Sequence, residues 1–521
     1  MSNPDTDSGA EKMVLIDGQE THPRPESRRF LALIVIGVAT AMSLGATLKM
    51  PTQLEANDIS RWCTVWSLLE RGTYAIDDCP WQAKTQDKVK KANKLEPPGP
   101  SAGALKTVEY RLAPQDWKEG VAVEHFYSSK PPLLPTLIAG ILYPIRKALG
   151  IPLEKLIEQP RQPRNVQKNV EGEPGKTIFV LETPKETAKW PAYVFYFKPI
   201  IVLLNIMPML VFLILYARHL DRVALGDWSW YLSLVTAAFG TYLFVFNQTL
   251  NNHTVAAASG FFAIYAFQRI WADEQRSPWM FCASGFFGGF CACNELPAAL
   301  FGLILFALLL VRFPSPTLKF FVPAAALPVA AFLATQFLAF GQFRPVYEEF
   351  GTKSYEYEGS YWTTPLEMDW FNKPENQEPY PTYLFHMMLG HHGVFSLTPI
   401  FLFSLLGASR EVIRRSRLST VSWITILLTI AMFAFYTWNP KARNYGGSTQ
   451  GLRWLFWLIP FWLFVLPAGL EPGERSRFAR WASLIALMIS VFSAGYALRS
   501  PWSHPWMLDI LEHLDLYNLK R

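Results

Sequence analysis

Apolar residues are gathered into long blocks that short polar connections separate. The first block covers residues 30–48, and a helix needs about 20 apolar residues to cross a bilayer core about 30 Å thick. Ten more blocks follow, at residues 200–216, 228–246, 255–270, 280–293, 297–311, 320–340, 394–406, 421–438, 455–470 and 481–498. The pattern predicts an all-α polytopic membrane protein with about eleven transmembrane helices, in a range of roughly 10 to 13.

Two apolar stretches leave the helix count open. Glu295 and Pro297 interrupt residues 280–311, which we interpret as two short helices, although a single span there would change the parity. Residues 131–149 are apolar enough for a twelfth span, but this stretch is short, rich in proline and basic at its end. It can cross the membrane or lie along its surface as an amphipathic helix.

The basic connections decide between these two placements of residues 131–149. With that segment on the surface, five basic connections and the amino-terminal arginines face the cytoplasm, whereas a crossing would put all five connections outside. These connections are residues 218–222, 269–276, 312–319, 410–417 and 475–480. The positive-inside rule therefore favours the surface placement, which makes residues 49–197 one long extracytoplasmic loop that contains surface helices.

The surface placement divides the chain into five parts. They are a cytoplasmic tail (1–29), a transmembrane module (30–340) that includes the 49–197 loop, an aromatic-rich extracytoplasmic loop (341–393), carboxy-terminal transmembrane helices (394–498) and an extracytoplasmic tail (499–521). Residues 83–107 and 158–176 are polar and charged, and we expect irregular, partly disordered surface segments there. Function concentrates in long loops on a rigid scaffold, so we expect the active face outside the cytoplasm.

Composition and charge restrict the class of partner. Only 17% of the 521 residues are charged, and the basic residues behind the net charge of +6 stand beside the spans, where orientation signals belong. No zinc-finger or phosphate-loop spacing occurs, so membrane lipids are expected partners and nucleic acid is not. Cys63 and Cys79 share the first loop and could pair if that loop is extracytoplasmic.

Two charged residues of the first loop carry candidate chemistry. Asp58 begins a helical stretch just past the first span, where its carboxylate could simply cap the helix. Lys130 precedes two prolines at the water–lipid boundary, and these prolines restrict its backbone. A lysine at this depth commonly extends to lipid headgroups, but a cation held in a fixed direction also suits a bound phosphate.

Three motifs occur in the order expected of one enzyme family. They are Leu-Leu-Glu-Arg-Gly-Thr-Tyr at residues 68–74, Tyr-Ser-Ser-Lys-Pro-Pro-Leu at 127–133, and Asn-Tyr-Gly-Gly-Ser-Thr-Gln-Gly-Leu-Arg-Trp at 444–454 before Leu-Ile-Pro at 458–460. Together with Asp58 after the first span, they resemble the C-type fold (GT-C) glycosyltransferases that use polyprenyl-phosphate sugars. The similarity is greatest to the Rgt-type branch, related to protein O-mannosyltransferases and to the aminoarabinose transferase of lipid A.

The resemblance implies a fold, a place and residue roles. Residues 30–340 would form a GT-C-like catalytic module in a bacterial inner membrane, with the active site facing the periplasm. Asp58 would be the catalytic general base, and Lys130 would contact the phosphate of a polyprenyl-phosphate-linked sugar donor. The acceptor would be an unidentified lipid, glycan or protein, and direct attack opposite the phosphate would invert the sugar carbon. Arg453 follows a glycine-rich segment, residues 446–451, on the outer side of the membrane. It binds either lipid headgroups or, as we expect, phosphate.

The second outer loop departs from the pattern of the family. Relatives often carry an aspartate there, and some use it to hold a divalent metal; this chain has Asn252 and His253 instead. His253 could be a metal ligand, a hydrogen-bonding partner of Asp58, or a helix cap. Glu295 is expected to line the cavity, because an acidic residue at membrane depth is costly unless it is paired or functional. No cofactor is certain, and a divalent metal could bind at this cavity.

Three histidines of the aromatic-rich loop suggest a metal cluster at first sight. His386, His391 and His392 are close in sequence, but their spacing does not put all three on one helical face. We interpret them as structural. The aromatic rings of this loop could stack on sugars, although a position at the membrane interface is the more common one. They include Tyr347, Phe350, Tyr355, Tyr357, Tyr361, Trp362, Trp370 and Phe371.

Two other functions remain alternatives to the enzyme. A transporter or lipid flippase also needs many helices with a few buried charges, but the chain has no internal repeat and no matched pair of broken helices. A membrane scaffold would leave Asp58, Lys130 and Arg453 without a shared task. Wide separation of these three residues would favour the scaffold.

Overall fold

A computed structural model of the chain describes residues 26–92, 124–160, 164–169, 177–182, 187–349, 352–360, 363, 371, 373–438 and 443–517. Most of the predicted 1–29 tail and the last four residues of the 499–521 tail lie outside this part. Helices make up 72% of the structure and strands 4%. The architecture is therefore helical, as the periodicity of the apolar blocks predicts.

The helices follow the apolar blocks closely. The α-helices are α1 Glu26–Lys49, α2 Ala56–Glu70, α3 Leu133–Leu149, α4 Tyr193–Ile201, α5 Met207–Val223, α6 Asp227–Phe239, α7 Leu243–Phe246, α8 Asn252–Trp271, α9 Pro278–Asn294, α10 Ala299–Arg312, α11 Pro314–Pro316, α12 Val322–Phe340, α13 Tyr380–Met388, α14 Val394–Leu397, α15 Phe401–Arg414, α16 Ser419–Trp438, α17 Ile459–Leu470, α18 Arg477–Tyr496 and α19 Trp506–His513. Short 3-10 or π segments extend several of them, at Val202–Ile206, Leu296–Ala298, Thr317–Phe321, Arg453–Leu458, Glu471–Glu474 and Ala497–Arg499.

Seven helical segments of the described chain are long and apolar enough to cross a membrane. They are Glu26–Lys49, Tyr193–Val223, Asp227–Phe246, Pro314–Phe340, Ser419–Trp438, Arg453–Glu474 and Arg477–Tyr496, and Leu296–Arg312 is a shorter apolar helix. The chain is thus an all-α membrane protein. The remaining predicted blocks are also helical, in α8, α9 and the pair α14 and α15, but a total of eleven spans stays a prediction.

Helix α17 lies at the centre of the bundle, because its sequence is apolar on every side. All twelve of its residues are buried, as expected for a helix without a polar face. It packs against α15, α6, α8 and α16. The approach to α15 is so close that a Cβ added at Gly469 would lie 1.7 Å from the carbonyl oxygen of Phe403, so glycine is required at this crossing.

Four of the five basic connections contact one another at one end of the bundle. The fifth, residues 475–480, lies beside Glu471, which binds Arg410 and Arg414. Asp273 accepts a hydrogen bond from Arg417 at 2.8 Å and lies 3.9 Å from Arg222. The remaining contacts join Arg312 to the Trp271 carbonyl, Arg410 and Arg414 to Glu471, Arg480 to the carbonyls of Gly473 and Glu474, and Arg28 to Asp227. We call this end the basic end. The opposite end carries the described residues within 50–92, 124–192, 247–252, 341–393 and 443–452, and we call it the loop-rich end.

Helices α2 and α3 run side by side at the loop-rich end. At their far ends, Arg146 donates two hydrogen bonds to Glu70, at 2.9 Å and 2.7 Å. The chain then returns to the start of α4, where the Tyr196 hydroxyl donates to the Ile151 carbonyl at 3.0 Å. Lys198, two residues on, donates to the Leu48 carbonyl near the end of α1. Both ends of α3 therefore lie at the loop-rich end, and α3 does not reach the basic end.

Six short strands in the first loop were not anticipated. They are β1 Lys88–Ala92, β2 Glu124–Ser128, β3 Leu156–Pro160, β4 Arg164–Asn169, β5 Thr177–Glu182 and β6 Thr187–Pro191, and they pair antiparallel as β1–β2, β3–β6 and β4–β5. The expectation of irregular segments at residues 83–107 and 158–176 is wrong for β1, β3 and β4; residues 93–107, 161–163 and 170–176 lie outside the described part. Cys63 and Cys79 are both buried, free thiols.

Candidate functional site at the loop-rich end

Asp58 is fully buried at the start of α2. Its Oδ2 accepts a hydrogen bond from the Leu54 amide at 3.0 Å, and its Oδ1 accepts from the amides of Glu55 at 2.8 Å and Ile59 at 2.9 Å. Asp58 and Glu55 form a reciprocal capping box. Burial raises the pKa of Asp58 to about 7, while these hydrogen bonds and the charge of Arg61 act to lower it. The capping role is therefore present, on a carboxylate that titrates near neutral pH.

Arg61 lies one turn after Asp58 and connects α2 to α8. Its guanidinium is 1% exposed. Nη1 donates to the Asn57 carbonyl at 2.9 Å and to the Asn57 side chain, and Nη2 donates to Oδ1 of Asn252. Burial lowers the pKa of Arg61 to about 10, so the side chain remains a cation at neutral pH. A buried cation with hydrogen bonds fixing its plane is a preorganised positive charge.

Asn252 lies at the centre of the second outer loop. Its Nδ2 donates to the Asn294 carbonyl at 2.9 Å and to Oε1 of Glu295 at 2.7 Å. The same Glu295 oxygen is hydrogen-bonded to Nδ1 of His253. Asn252, His253 and Glu295 therefore form one buried polar group, where α8 begins and α9 ends.

His253 does not have two of the contacts that its sequence position suggested. The side chain that caps α8 belongs to Asn251, whose Oδ1 accepts from the Thr254 amide at 2.9 Å. The ring of His253 pairs with Glu295, whereas the carboxylate of Asp58 is bound by backbone amides. The helix-cap and Asp58-partner interpretations of His253 are both wrong.

The polar group formed by Asn252, His253 and Glu295 does not fit a divalent metal. The ligand atoms are already hydrogen-bonded to one another, and the Asn252 oxygen accepts from the Arg61 cation. A guanidinium in contact with a ligand atom would repel a metal ion.

Lys130 pairs with a residue that the sequence did not single out. Its Nζ lies 3.1 Å from Oδ1 of Asp87, and both side chains are about one-fifth exposed, 20% and 18%. Asp87 comes just before β1 and Lys130 just after β2, so the antiparallel pairing of these strands brings the two together. The Asp87 carbonyl also accepts from the Ser60 hydroxyl at 2.5 Å and the Ser129 amide at 3.0 Å. The hairpin is thereby attached to α2.

Arg453 occupies the end of the glycine-rich loop. Its guanidinium lies over the indole ring of Trp502, 5.0 Å from the ring centroid. Its Nε is buried and has no hydrogen-bond partner among the residues that the structure describes. Gly446 has a φ of +93°, and a Cβ there would lie 3.0 Å from this Nε. Position 446 therefore favours glycine for two reasons: its φ is positive, and a side chain there would crowd Arg453.

Electrostatic effects show that the three cations and the carboxylates form one group. Burial lowers the pKa of Lys130, the nearby Arg453 and Arg61 lower it further, and Asp87 raises it. Burial raises the pKa of Glu295 to about 8, while Arg453, Arg61 and Lys130 lower it. Residues from the first loop, the α8 start, the α9 end and the glycine-rich loop thus meet at the loop-rich end. The predicted residues are brought together.

The aromatic-rich loop packs over the first-loop hairpin. Lys91 of β1 lies 3.0 Å from Glu349, and the rings of Phe126 and Tyr357 are 5.0 Å apart. Burial and the nearby Glu295 raise the pKa of the Tyr347 phenol, so this ring is close to the charged group. The loop therefore supplies part of the wall of the site. Phe350, Tyr361, Trp362 and Trp370 lie outside the described residues.

Two residues of the charged group were missed by sequence reasoning. Asp87 lies in a polar stretch that has no helical or strand periodicity of its own, and only pairing with a distant strand places it at Lys130. Arg61 follows Asp58 by three positions and so lies on the same face of α2. That spacing was an available signal for Arg61, whereas Asp87 offered none.

Shape alone does not select this site. A small cleft opens at the basic end and is lined by His219, Arg222, Val223, Tyr265, Gln268, Arg269, Asp273 and Arg417. Its lining acid, Asp273, is ion-paired with Arg222, Arg269 and Arg417, so it is not placed to act as a base. No protein-family model matches the chain, and no curated protein matches it. The charges at the loop-rich end are therefore the main guide to function.

Proposed function

We propose that the protein is a membrane glycosyltransferase of the GT-C type. It would transfer a sugar from a polyprenyl-phosphate-linked donor to an acceptor on the periplasmic side of a bacterial inner membrane. The observation that supports this most is the grouping of Arg61, Lys130 and Arg453 with the buried acid Asp58, at one end of an apolar helix bundle. The motif resemblance to polyprenyl-phosphate-sugar enzymes supports the same function.

The three cations suit the leaving group of such a reaction. When the bond between the sugar carbon and the phosphate oxygen breaks, the electron pair stays on the phosphate, which gains negative charge. Lys130 and Arg453 can stabilise this charge directly, because neither side chain is fully enclosed. Arg61 is held by Asn57 and Asn252 and acts from the wall of the site as a fixed charge.

Asp58 suits the proton transfer. The acceptor hydroxyl forms the new bond to the sugar carbon and loses its proton to a carboxylate. A group with a pKa near 7 is mostly ionised just above neutral pH and still basic enough to accept that proton. Asp58 Oδ2 accepts one hydrogen bond in the described structure, from Leu54, so it keeps a lone pair, and the acceptor reaches this fully buried carboxylate only when the site opens. Direct attack by the acceptor inverts the sugar carbon.

Transfer by purified protein tests the proposal. The full chain in detergent is incubated with radiolabelled polyprenyl-phosphate sugars and a bacterial membrane extract, and the labelled product is isolated and identified. Asp58→Asn should reduce the transfer rate by about 10²- to 10⁴-fold, because it removes the base. Lys130→Ala should raise the KM for the donor by about 10-fold or more, because it removes a charge-assisted contact to phosphate.

One variant serves as a control and another as a second test of the donor site. Lys147→Ala removes an exposed cation from the last turn of α3 and should leave transfer unchanged. Asp87→Asn removes the carboxylate that pairs with Lys130 and should change the KM for the donor more than kcat. A folded Asp58→Asn protein with unchanged turnover removes Asp58 from the mechanism. Movement of intact lipid-linked sugar across vesicles, with no transfer by any preparation, would favour a flippase instead.

A further inference from the structure

A second group of ionisable side chains lies around α13, apart from the charged group described above. Glu378 precedes α13, His386 is in its last turn, and His391 follows the helix end. The helix ends at Met388, and the Gly390 amide donates to the Phe385 carbonyl at 3.0 Å as the chain turns back. The sequence spacing argues against one helical face for His386, His391 and His392, but the turn brings His391 close to His386 and Glu378 in space.

The three ligand atoms lie at distances that a metal ion could bridge. Oε1 of Glu378 is 3.8 Å from Nε2 of His386 and 4.0 Å from Nε2 of His391, and all three atoms lie within 4.8 Å of one another. Ligand atoms about 2.0–2.1 Å from a tetrahedral zinc ion are about 3.3 Å apart. The two rings stack with 19° between their planes, so binding requires the ligand atoms to close by about 0.5 to 1.5 Å and the rings to turn toward one point.

One of these ligand atoms has no other partner. The side chain of His391 is 0% exposed, and its Nε2 has no hydrogen bond among the described residues. A buried polar atom is nearly always satisfied by protein, water or an ion, so an unpartnered one calls for an explanation.

The neighbours of these ligands resemble the outer shell of a metal site. The hydroxyl of Tyr445 donates to Oε2 of Glu378, the carboxylate oxygen that faces away from the histidines. The hydroxyl of Tyr517 donates to Oε1 of Glu378 at 2.8 Å and lies 2.9 Å from Nε2 of His386. Tyr517 is thus placed to be a fourth ligand or to give way to water. Hydrogen bonds of this kind hold ligands in position for a metal.

We propose that Glu378, His386 and His391 bind one zinc ion. Two imidazoles and one carboxylate are a ligand set that zinc prefers, whereas calcium and magnesium prefer oxygen ligands alone. The proposal does not rest on the proposed function.

The zinc ion would join three separate segments of the loop-rich end. Its ligands flank α13, Tyr445 belongs to the loop that holds Gly446 beside Arg453, and Tyr517 belongs to the carboxy-terminal tail. The metal would therefore fix the glycine-rich loop and the tail relative to α13. We expect the zinc to be structural, because none of its three protein ligands contacts the charged group around Asp58 in the described part of the chain.

Metal content of the full-length protein tests this proposal. The protein is purified in detergent, stripped with a chelator, reloaded with zinc chloride, dialysed and analysed by mass spectrometry of the metal. About one zinc per chain is expected for the wild type, and His391→Asn and Glu378→Gln should each lower retention at least 10-fold. His513→Asn changes an exposed histidine of α19 and should retain zinc fully.

A second measurement keeps the test valid if a variant folds poorly. Zinc binds only the folded site, so reloading the stripped wild type should raise its midpoint of thermal unfolding, and His391→Asn should lose that rise. Cobalt in place of zinc should give the strong visible absorption of a four-coordinate site. Zinc lost from the wild type on dialysis, no rise in its unfolding midpoint, or equal retention by folded His391→Asn would each overturn the site. These readouts do not involve sugar transfer, so the two proposals can fail separately.

Discussion

At the scale of single residues, Asp58 has to serve two roles with one carboxylate. Three backbone amides bind its oxygens and hold the start of α2, and such bonds favour the ionised form. Burial acts in the opposite direction and is the larger effect, so the pKa of Asp58 rises to about 7. A solvent-exposed cap would stay ionised far below neutral pH. The burial of Asp58 is therefore what separates a base from an ordinary cap.

The rate of transfer should depend on pH through Asp58. The base must be deprotonated, so kcat/KM should rise with pH up to about 7 and then level off. Arg61→Gln removes a charge that lowers the pKa of Asp58, and the rising limb should move to higher pH. The measurement is kcat/KM from about pH 5 to 9, with Lys147→Ala as the control that should not shift the limb. A pH-independent rate across this range would exclude Asp58 as the base.

The predictability of the site differs from residue to residue. Asp58 and Lys130 could be found because each lies beside a sharp local signal, the end of an apolar block and a pair of prolines. Asp87 could not, because its position depends on the pairing of Lys88 with Ser128, and no local pattern encodes that pairing. The same limit hid the cluster around His391, where a chain reversal after α13 overrides the spacing of the three histidines.

At the scale of elements, the pair α2 and α3 sets the position of both Asp58 and Lys130. Asp58 begins α2 and Lys130 comes just before α3, so the relative position of the two side chains depends on how these helices pack. The far ends are joined through Glu70, which binds Arg146 and also accepts from the Leu153 amide at 3.1 Å. The side chain of Glu70 is 7% exposed and that of Arg146 is 22% exposed.

Glu70→Gln should therefore destabilise the protein. It removes a charge from a two-bond ion pair at a mostly buried position, and after allowance for the exposure of Arg146 the expected cost is about 2 kcal/mol. Thermal unfolding of the purified protein in detergent should show a lower midpoint. The matched control is Glu158→Gln on β3, whose partner Lys189 is 4.0 Å away at an exposed position; it should leave the midpoint unchanged. Equal midpoints for all three proteins would show that Glu70 does not join the helices.

Helices could be predicted from the sequence far better than strands. A helix such as α16 closes its hydrogen bonds within one stretch of chain, so an apolar block is enough to indicate it. The strands β1 and β2 need each other, and their sequences are polar and charged, which made the region look irregular. The shortness of α9 and α10 also follows from the local sequence, since Glu295 and Pro297 stand between them.

At the scale of the whole molecule, the polar contacts separate into two ends of the bundle. The basic connections are linked through Asp273, Glu471 and Asp227, while the charged group around Asp58 and Lys130 lies at the other end. A lipid-linked donor is amphipathic, with an apolar chain and a charged phosphate. A cation cluster at the end of an apolar bundle suits such a molecule, because the chain can remain in the bilayer while the phosphate reaches the cations.

The two ends should be accessible from opposite sides of the membrane. Lys147 is exposed at the end of α3, and Arg276 is exposed in the connection between α8 and α9 at the basic end. In sealed spheroplasts, a membrane-impermeant maleimide should label Lys147→Cys directly, but Arg276→Cys only after permeabilisation, because the basic end should face the cytoplasm. The unmodified chain is the control, since four of its cysteines are buried and Cys282 is only partly exposed, within α9. Labelling of both positions from one side would contradict the two-ended arrangement. Labelling in the reverse order would place Arg61, Lys130 and Arg453 on the cytoplasmic side, where a periplasmic transferase cannot use them.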